Sequence, residues 1–165
     1  MRGVLLDADI LSLFAKVDAM PLLCEILKCD KLPITSGVFN EIMVPLTYGY
    51  EFPNRIIAVS KTILMRSEET HDFEILRLEG KVSAADAEMI AICSHRGWGW
   101  VTMDRVATRE ARARNVKTIG LAALLLAGLT RGLATKDQLA GLMTQMEKAD
   151  KTIYPFKRDL LGDDF

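Results

Sequence analysis

The alternation of short apolar runs with helically patterned segments constrains this chain more than any other feature. Residues 3–6 form an apolar run that leads into Asp7-Ala8-Asp9, and Ile10, Leu11, Leu13 and Phe14 follow at near-helical spacing. That order predicts a strand and then a helix, because side chains repeat every two residues in a strand and about every 3.6 in a helix. Residues 21–28 predict a second short helix and residues 32–35 a second buried strand. Val38, Phe39, Ile42, Met43 and Leu46 then lie along one side of a third helix. After a strand over 62–65 and a polar helix reaching Glu79, residues 83–95 carry helix signals at both ends. Ser83 and Asp86 have the spacing of a capping box, and Gly97 closes the segment. Residues 98–103 read as strand, 105–114 as helix, 116–119 as the last strand, and the chain from Leu121 onward as helix. Strands that alternate with helices form a parallel sheet covered on both faces. The expected fold is therefore α/β, a three-layer α/β/α sandwich around a central parallel sheet.

The length of 165 residues suits one such unit. The expected organisation is a single domain over residues 1–150, including the C-terminal helices, followed by a polar tail over 151–165. Half of the residues are hydrophobic and 26% are charged, which excludes a disordered chain. Only Val4, Leu5 and Leu6 precede Asp7, and the most apolar later run, 121–129, stops at Thr130 and Arg131. Neither a signal peptide nor a membrane span is expected, since a span needs about 20 apolar residues. Cys24, Cys29 and Cys93 form no C-x-x-C and leave an odd thiol in any pairing, which fits a reducing cytoplasm. The net charge of -1 speaks against a protein that coats nucleic acid, so any such contact rests on local charge.

Open parallel sheets bind ligands in the crevice beyond the carboxyl ends of their strands. Asp7 ends the first strand and Asp104 the strand over 98–103, while Asp86 lies in the opening turn of the helix that leads back over the same edge. Glu41, on the helix after the second strand, lies about 60° from Val38 at the margin of the apolar face, within reach of that crevice. Each acid has a simpler competing role. Asp9 immediately precedes Ile10 and is the better cap of the first helix; Asp86 can pair with Ser83 in the capping box; Asp104 can cap the helix after it. Glu41 can be a wet surface residue. Against that, Asp86, Met89, Ile90 and Cys93 recur at i, i+3, i+4 and i+7, so Asp86 lies on an apolar stripe, whereas Glu88 is expected to face solvent. Four carboxylates on one edge repel one another by about 4 kcal/mol per pair at about 4 Å and an effective dielectric of about 20. They call for a counter-charge. With only His71 and His95 in the whole chain, an oxygen donor set favours Mg2+ or Mn2+ over Zn2+. Magnesium binds through few carboxylates, waters and phosphate oxygens, which points to phosphoester chemistry.

These residues carry a family resemblance. Val4-Leu5-Leu6-Asp7-Ala8-Asp9-Ile10-Leu11 resembles the opening motif of PIN domains, and Ile34-Thr35-Ser36-Gly37-Val38-Phe39-Asn40-Glu41-Ile42 resembles the second. Ser83-Ala84-Ala85-Asp86-Ala87-Glu88-Met89-Ile90-Ala91 is similar to the third and Val101-Thr102-Met103-Asp104-Arg105 to the fourth. Gly120 and the apolar helix beyond it resemble an uncharacterised PIN subgroup. The resemblance implies strand order 3-2-1-4-5, with Asp7, Glu41, Asp86 and Asp104 as catalytic, metal-binding acids and Thr102 as a supporting hydroxyl. It implies hydrolysis of RNA phosphodiesters with Mg2+ or Mn2+. Family members are commonly dimeric ribonucleases, many of them VapC-type toxins held by a small antitoxin protein, so a homodimer and such a partner are expected. One departure stands out. Position 8 is usually Thr or Ser and position 9 Asn or Ser, whereas Ala8 and Asp9 here place an extra carboxylate beside the metal-binding set.

Substrate phosphates need positive charge, and Arg105, Arg109 and Arg112 share one helix face close to Arg114 and Lys117. The same face can simply be solvated, or can dock an acidic antitoxin segment. Two other functional readings compete. Asp7-Ala8-Asp9 has the form of the nucleophile and acid pair of haloacid-dehalogenase-like phosphatases, with Thr35 or Ser36 binding phosphate. That reading lacks a late acidic pair and leaves Glu41 and Asp86 without roles. The other is a PIN-fold module that binds nucleic acid or protein without cutting.

Overall fold

Every strand among the described residues is only three residues long, and each leads within one or a few residues into a helix. The structure, a computed structural model, describes residues 3–162. Along the chain these are β1 (Val4–Leu6), α1 (Ala8–Lys16), α2 (Met20–Leu27), β2 (Leu32–Ile34), α3 (Ser36–Thr47), α4 (Phe52–Val59), β3 (Ser60–Thr62) and α5 (Ser67–Glu79). There follow α6 (Ala84–Arg96), β4 (Gly99–Val101), α7 (Arg105–Ala113), β5 (Lys117–Ile119), α8 (Leu121–Thr130), α9 (Lys136–Asp150) and α10 (Lys157–Leu161). All strand pairs are parallel, with Leu5 opposite Trp100 and Trp100 opposite Thr118. This is the α/β class that the alternation predicts.

The sheet departs from the expected order in one respect. Hydrogen bonds join β1-β4-β5 in one ladder and β2-β3 in another, and β1 and β2 are neighbours in space without a shared ladder. The order 3-2-1-4-5 therefore describes the adjacency of the strands and not one continuous hydrogen-bonded sheet. Leu5, Leu6, Trp100 and Val101 are fully buried at the centre. Helix α6 packs against them with every residue from Ala87 to Cys93 buried, so it is interior on all sides and not an amphipathic surface helix.

Other differences have local causes. The sequence reading misses α4 and sets the third strand at 62–65, drawn there by the apolar Ile63, Leu64 and Met65; the paired strand is the polar Ser60–Thr62, half-exposed or exposed along its length. The stretch after residue 150, expected to trail as a polar tail, turns back on the domain. Tyr154 and Leu161 join the core there, and Lys157 reaches Thr144 and Glu147 of α9. Nothing among the described residues is a helix long and apolar enough to cross a membrane.

Candidate active site

Asp7 follows β1 directly, and its N–H donates to the Val101 carbonyl at 3.0 Å, so the last rung of the β1-β4 pairing fixes its backbone. It holds the position that begins α1, which corrects the expectation that Asp9 would; Asp9 lies in the first turn. The Asp7 carboxylate makes no capping bond. Instead the Thr102 hydroxyl, at the end of β4, donates to its Oδ2 at 2.8 Å. The same hydroxyl accepts from the Asp104 N–H at 3.1 Å, and the Thr102 N–H donates to Ile119 of β5. One buried threonine thus ties the ends of three strands to the Asp7 carboxylate and to the backbone of Asp104.

For Asp86 and Asp104 the capping roles are real. Asp104 Oδ1 accepts from the Ala107 N–H at 2.8 Å, and Asp86 Oδ2 accepts from the Ser83 hydroxyl at 2.8 Å in a reciprocal capping box. Neither bond removes the acid from the site. Oδ2 of Asp104 and Oδ1 of Asp86 have no hydrogen-bond partner among the described residues, so capping orients each carboxylate and leaves it an oxygen.

Glu41 is carried by α3, and α3 is anchored by a residue that sequence reasoning misplaced. Glu88, expected in solvent, is buried, and its carboxylate accepts from the Gly37 N–H at 2.7 Å and the Ser36 N–H at 3.3 Å. A carboxylate on two orphan N–H groups at the positive end of a helix is a strong clamp. Gly37 is required there: a Cβ would stand 2.8 Å from Glu88 Oε2 and 2.9 Å from the Ala85 Cα. The signal that could have found Glu88 is the run of small and apolar residues around it, which gives α6 no exposed face.

Asp7, Asp9, Glu41, Asp86 and Asp104 line a single open cleft of roughly 440 Å3. Burial, opposed by the Thr102 bond and reinforced by Asp9 and Asp86, pushes the Asp7 carboxyl up to about 6. Glu41 is also held above the ordinary glutamate range, first by partial burial in the cleft and then by Asp7, Asp86 and Asp9. Such shifts are what burial, reinforced by neighbouring like charges, produces. Among the described residues no three His, Cys, Asp or Glu side chains are close enough to grip an ion by themselves. The donor set still fits an oxygen-seeking divalent cation that keeps part of its water shell and takes further oxygens from a phosphate, as Mg2+ does.

Arg105, Arg109 and Arg112 are brought together on an exposed face of α7, outside the lining of the acid cleft. Arg109 lies 3.5 Å from Glu110, and Arg112 donates to the Thr118 hydroxyl at 2.9 Å. Thr35 is fully buried and its hydroxyl accepts from the Val38 N–H; the N-terminus of α3, where a phosphatase would seat its phosphate, already holds Glu88.

A family model described as a PIN domain matches residues 3–156. The chain belongs to the PIN-domain family. Neither a curated protein nor a solved structure gives a match. The PIN match reaches past α9, in keeping with the burial of Tyr154. PIN domains have a nuclease-type fold and generally act as metal-dependent nucleases.

Proposed function

We propose that this PIN domain is an endoribonuclease that hydrolyses RNA phosphodiester bonds with Mg2+ or Mn2+. The observation that carries the reading is the single cleft in which Asp7, Glu41, Asp86 and Asp104 meet, with Asp7 and Glu41 held above their ordinary ranges by burial and by their acidic neighbours. These four acids would hold the ion, with Asp9 adding negative charge beside them. A divalent ion bound there supplies an activated water and stabilises charge on the phosphoryl and leaving oxygens.

The chain's own residues prepare that chemistry. Thr102 favours the ionised form of Asp7, the form a cation needs. Ser83 and the Ala107 N–H fix the two capping acids in single orientations. Glu88 and Thr35 fix the start of α3, and with it Glu41. Water is the nucleophile in this reading, and no covalent intermediate is required.

The reading extends to partners: a homodimer in the cytoplasm, acting as the toxin of a toxin-antitoxin pair and held by a small antitoxin protein. Its support is the family resemblance. A small neighbouring reading frame encoding a DNA-binding fold would bear it out, and its absence would favour a free-standing nuclease.

The test is incubation of the purified protein with structured and single-stranded RNAs, with Mn2+ or EDTA, beside Asp7→Asn and Asp104→Asn. Cleavage that requires the metal and disappears in both variants is expected. Phosphate release from small phosphoesters without RNA cleavage would transfer the site to phosphatase chemistry, and RNA that is bound but uncut would make the domain a binder.

A further inference from the structure

The acid cleft has a wall of different chemistry. Lys16 in the last turn of α1, Pro45 of α3 and Phe52 at the start of α4 line it together with the carboxylates. Lys16 is the single cationic side chain in that lining. Its Nζ lies 5.4 Å from the centre of the Phe52 ring and 2.7 Å from Asp150 Oδ1. An ammonium has three donors, so the Asp150 bond leaves two for other acceptors.

Next to Phe52, just outside the residues that line the cleft, stands an exposed aromatic ring. Tyr50 is 60% exposed, with its ring centre 6.1 Å from that of Phe52. The backbone that carries it is fixed by the turn before it. The Tyr50 N–H donates to the Pro45 carbonyl at 3.1 Å, and Gly49 makes the tight turn before it with φ +84°, in the left-handed region that favours glycine. An aromatic face presented to water beside a phosphoester-type cleft is the arrangement by which proteins stack unpaired bases, and stacking is tolerant of base identity. A cation is needed nearby because the carboxylates alone repel the backbone of the substrate.

Resting on the endoribonuclease reading, the geometry points to a nucleotide seat at this edge of the cleft: an unpaired base stacks on Tyr50, whose ring is tilted 58° from that of Phe52, and Lys16 holds the adjoining phosphate. The seat positions the RNA strand against the acids, and Tyr50 and Lys16 are binding residues outside the metal set.

The test measures affinity for fluorescent oligouridylate and for an abasic ribose-phosphate oligomer of the same length, with Ca2+ in place of Mn2+ and probe integrity checked on a gel. Tyr50→Ala is expected to weaken oligouridylate binding roughly tenfold and to leave the abasic oligomer unaffected; Tyr50→Phe keeps the wild-type affinity. Lys16→Gln weakens both probes. Unchanged oligouridylate affinity in Tyr50→Ala would overturn the seat and turn the exposed ring toward a protein partner. Equal loss with both probes would overturn stacking. Cleavage followed in parallel separates the two ideas: RNA held through Tyr50 but never cut sinks the nuclease and leaves the seat, whereas cleavage with an unaltered KM in Tyr50→Ala sinks the seat and leaves the nuclease.

Discussion

The Thr102 hydroxyl donates to Oδ2 of Asp7 across 2.8 Å, joining the end of β4 to the end of β1 through a carboxylate that lines the acid cleft. This bond holds the Asp7 carboxyl lower than burial and its acidic neighbours would otherwise set it. Thr102→Val keeps the shape and removes the hydroxyl. It is expected to raise the Asp7 pKa above about 6 and shift the acidic limb of the pH-activity profile upward. Loss of the bond itself lowers stability by about 1 kcal/mol, read by urea denaturation. Thr102→Ser retains the bond and the wild-type profile.

Asp7 places function and stability in opposition. Its folded pKa is raised from 3.8 to about 6, so between those values the folded protein binds more protons than the unfolded chain. The stability contributed by protonated Asp7 is present below about pH 4 and is lost as pH rises through about 6. In EDTA at neutral pH, Asp7→Asn is therefore expected to be more stable than wild type by about 1–3 kcal/mol, and the difference shrinks at pH 4. Chemical denaturation at the two pH values checks the sign.

The same proton competes with a cation. Below about pH 6, Mn2+ affinity is expected to fall by about tenfold per pH unit and to level off above it, which titration calorimetry at several pH values measures.

The clamp on α3 gives a structural test. Glu88→Ala leaves two N–H groups of the helix start without their buried carboxylate and is expected to cost about 2–3 kcal/mol. Gly37→Ala forces a methyl group against the Ala85 backbone and costs about 1–3 kcal/mol. Both changes loosen Glu41, so residual activity should show a raised requirement for Mn2+.

What the sequence makes legible follows from which signals are local. Short apolar runs ending at Asp7 and Asp104 mark the ladder edge, because strand alternation and acid position are read within a few residues. The capping box at Ser83 is equally local and is present as read. Glu88 is not legible from helix spacing alone: a 100° turn puts it away from Asp86, and only the packing of α6 on both sides turns that second face into interior. Helix α4 is obscured by Pro53 and by β-branched Ile56, Ile57 and Val59, whose intrinsic preference is for strand; tertiary contact with α1 overrides it. Tyr154 and Leu161 are single apolar residues in a polar stretch, without a period to announce that they fold back.

The central claim is that four carboxylates from separate elements form one cation site, and Mn2+ binding by titration calorimetry on the RNA-free protein tests it most directly. Wild type is expected to bind Mn2+ at neutral pH, with affinity reduced at least about tenfold in Asp7→Asn and in Asp104→Asn. Absence of binding by wild type, or equal binding by both variants, would contradict it.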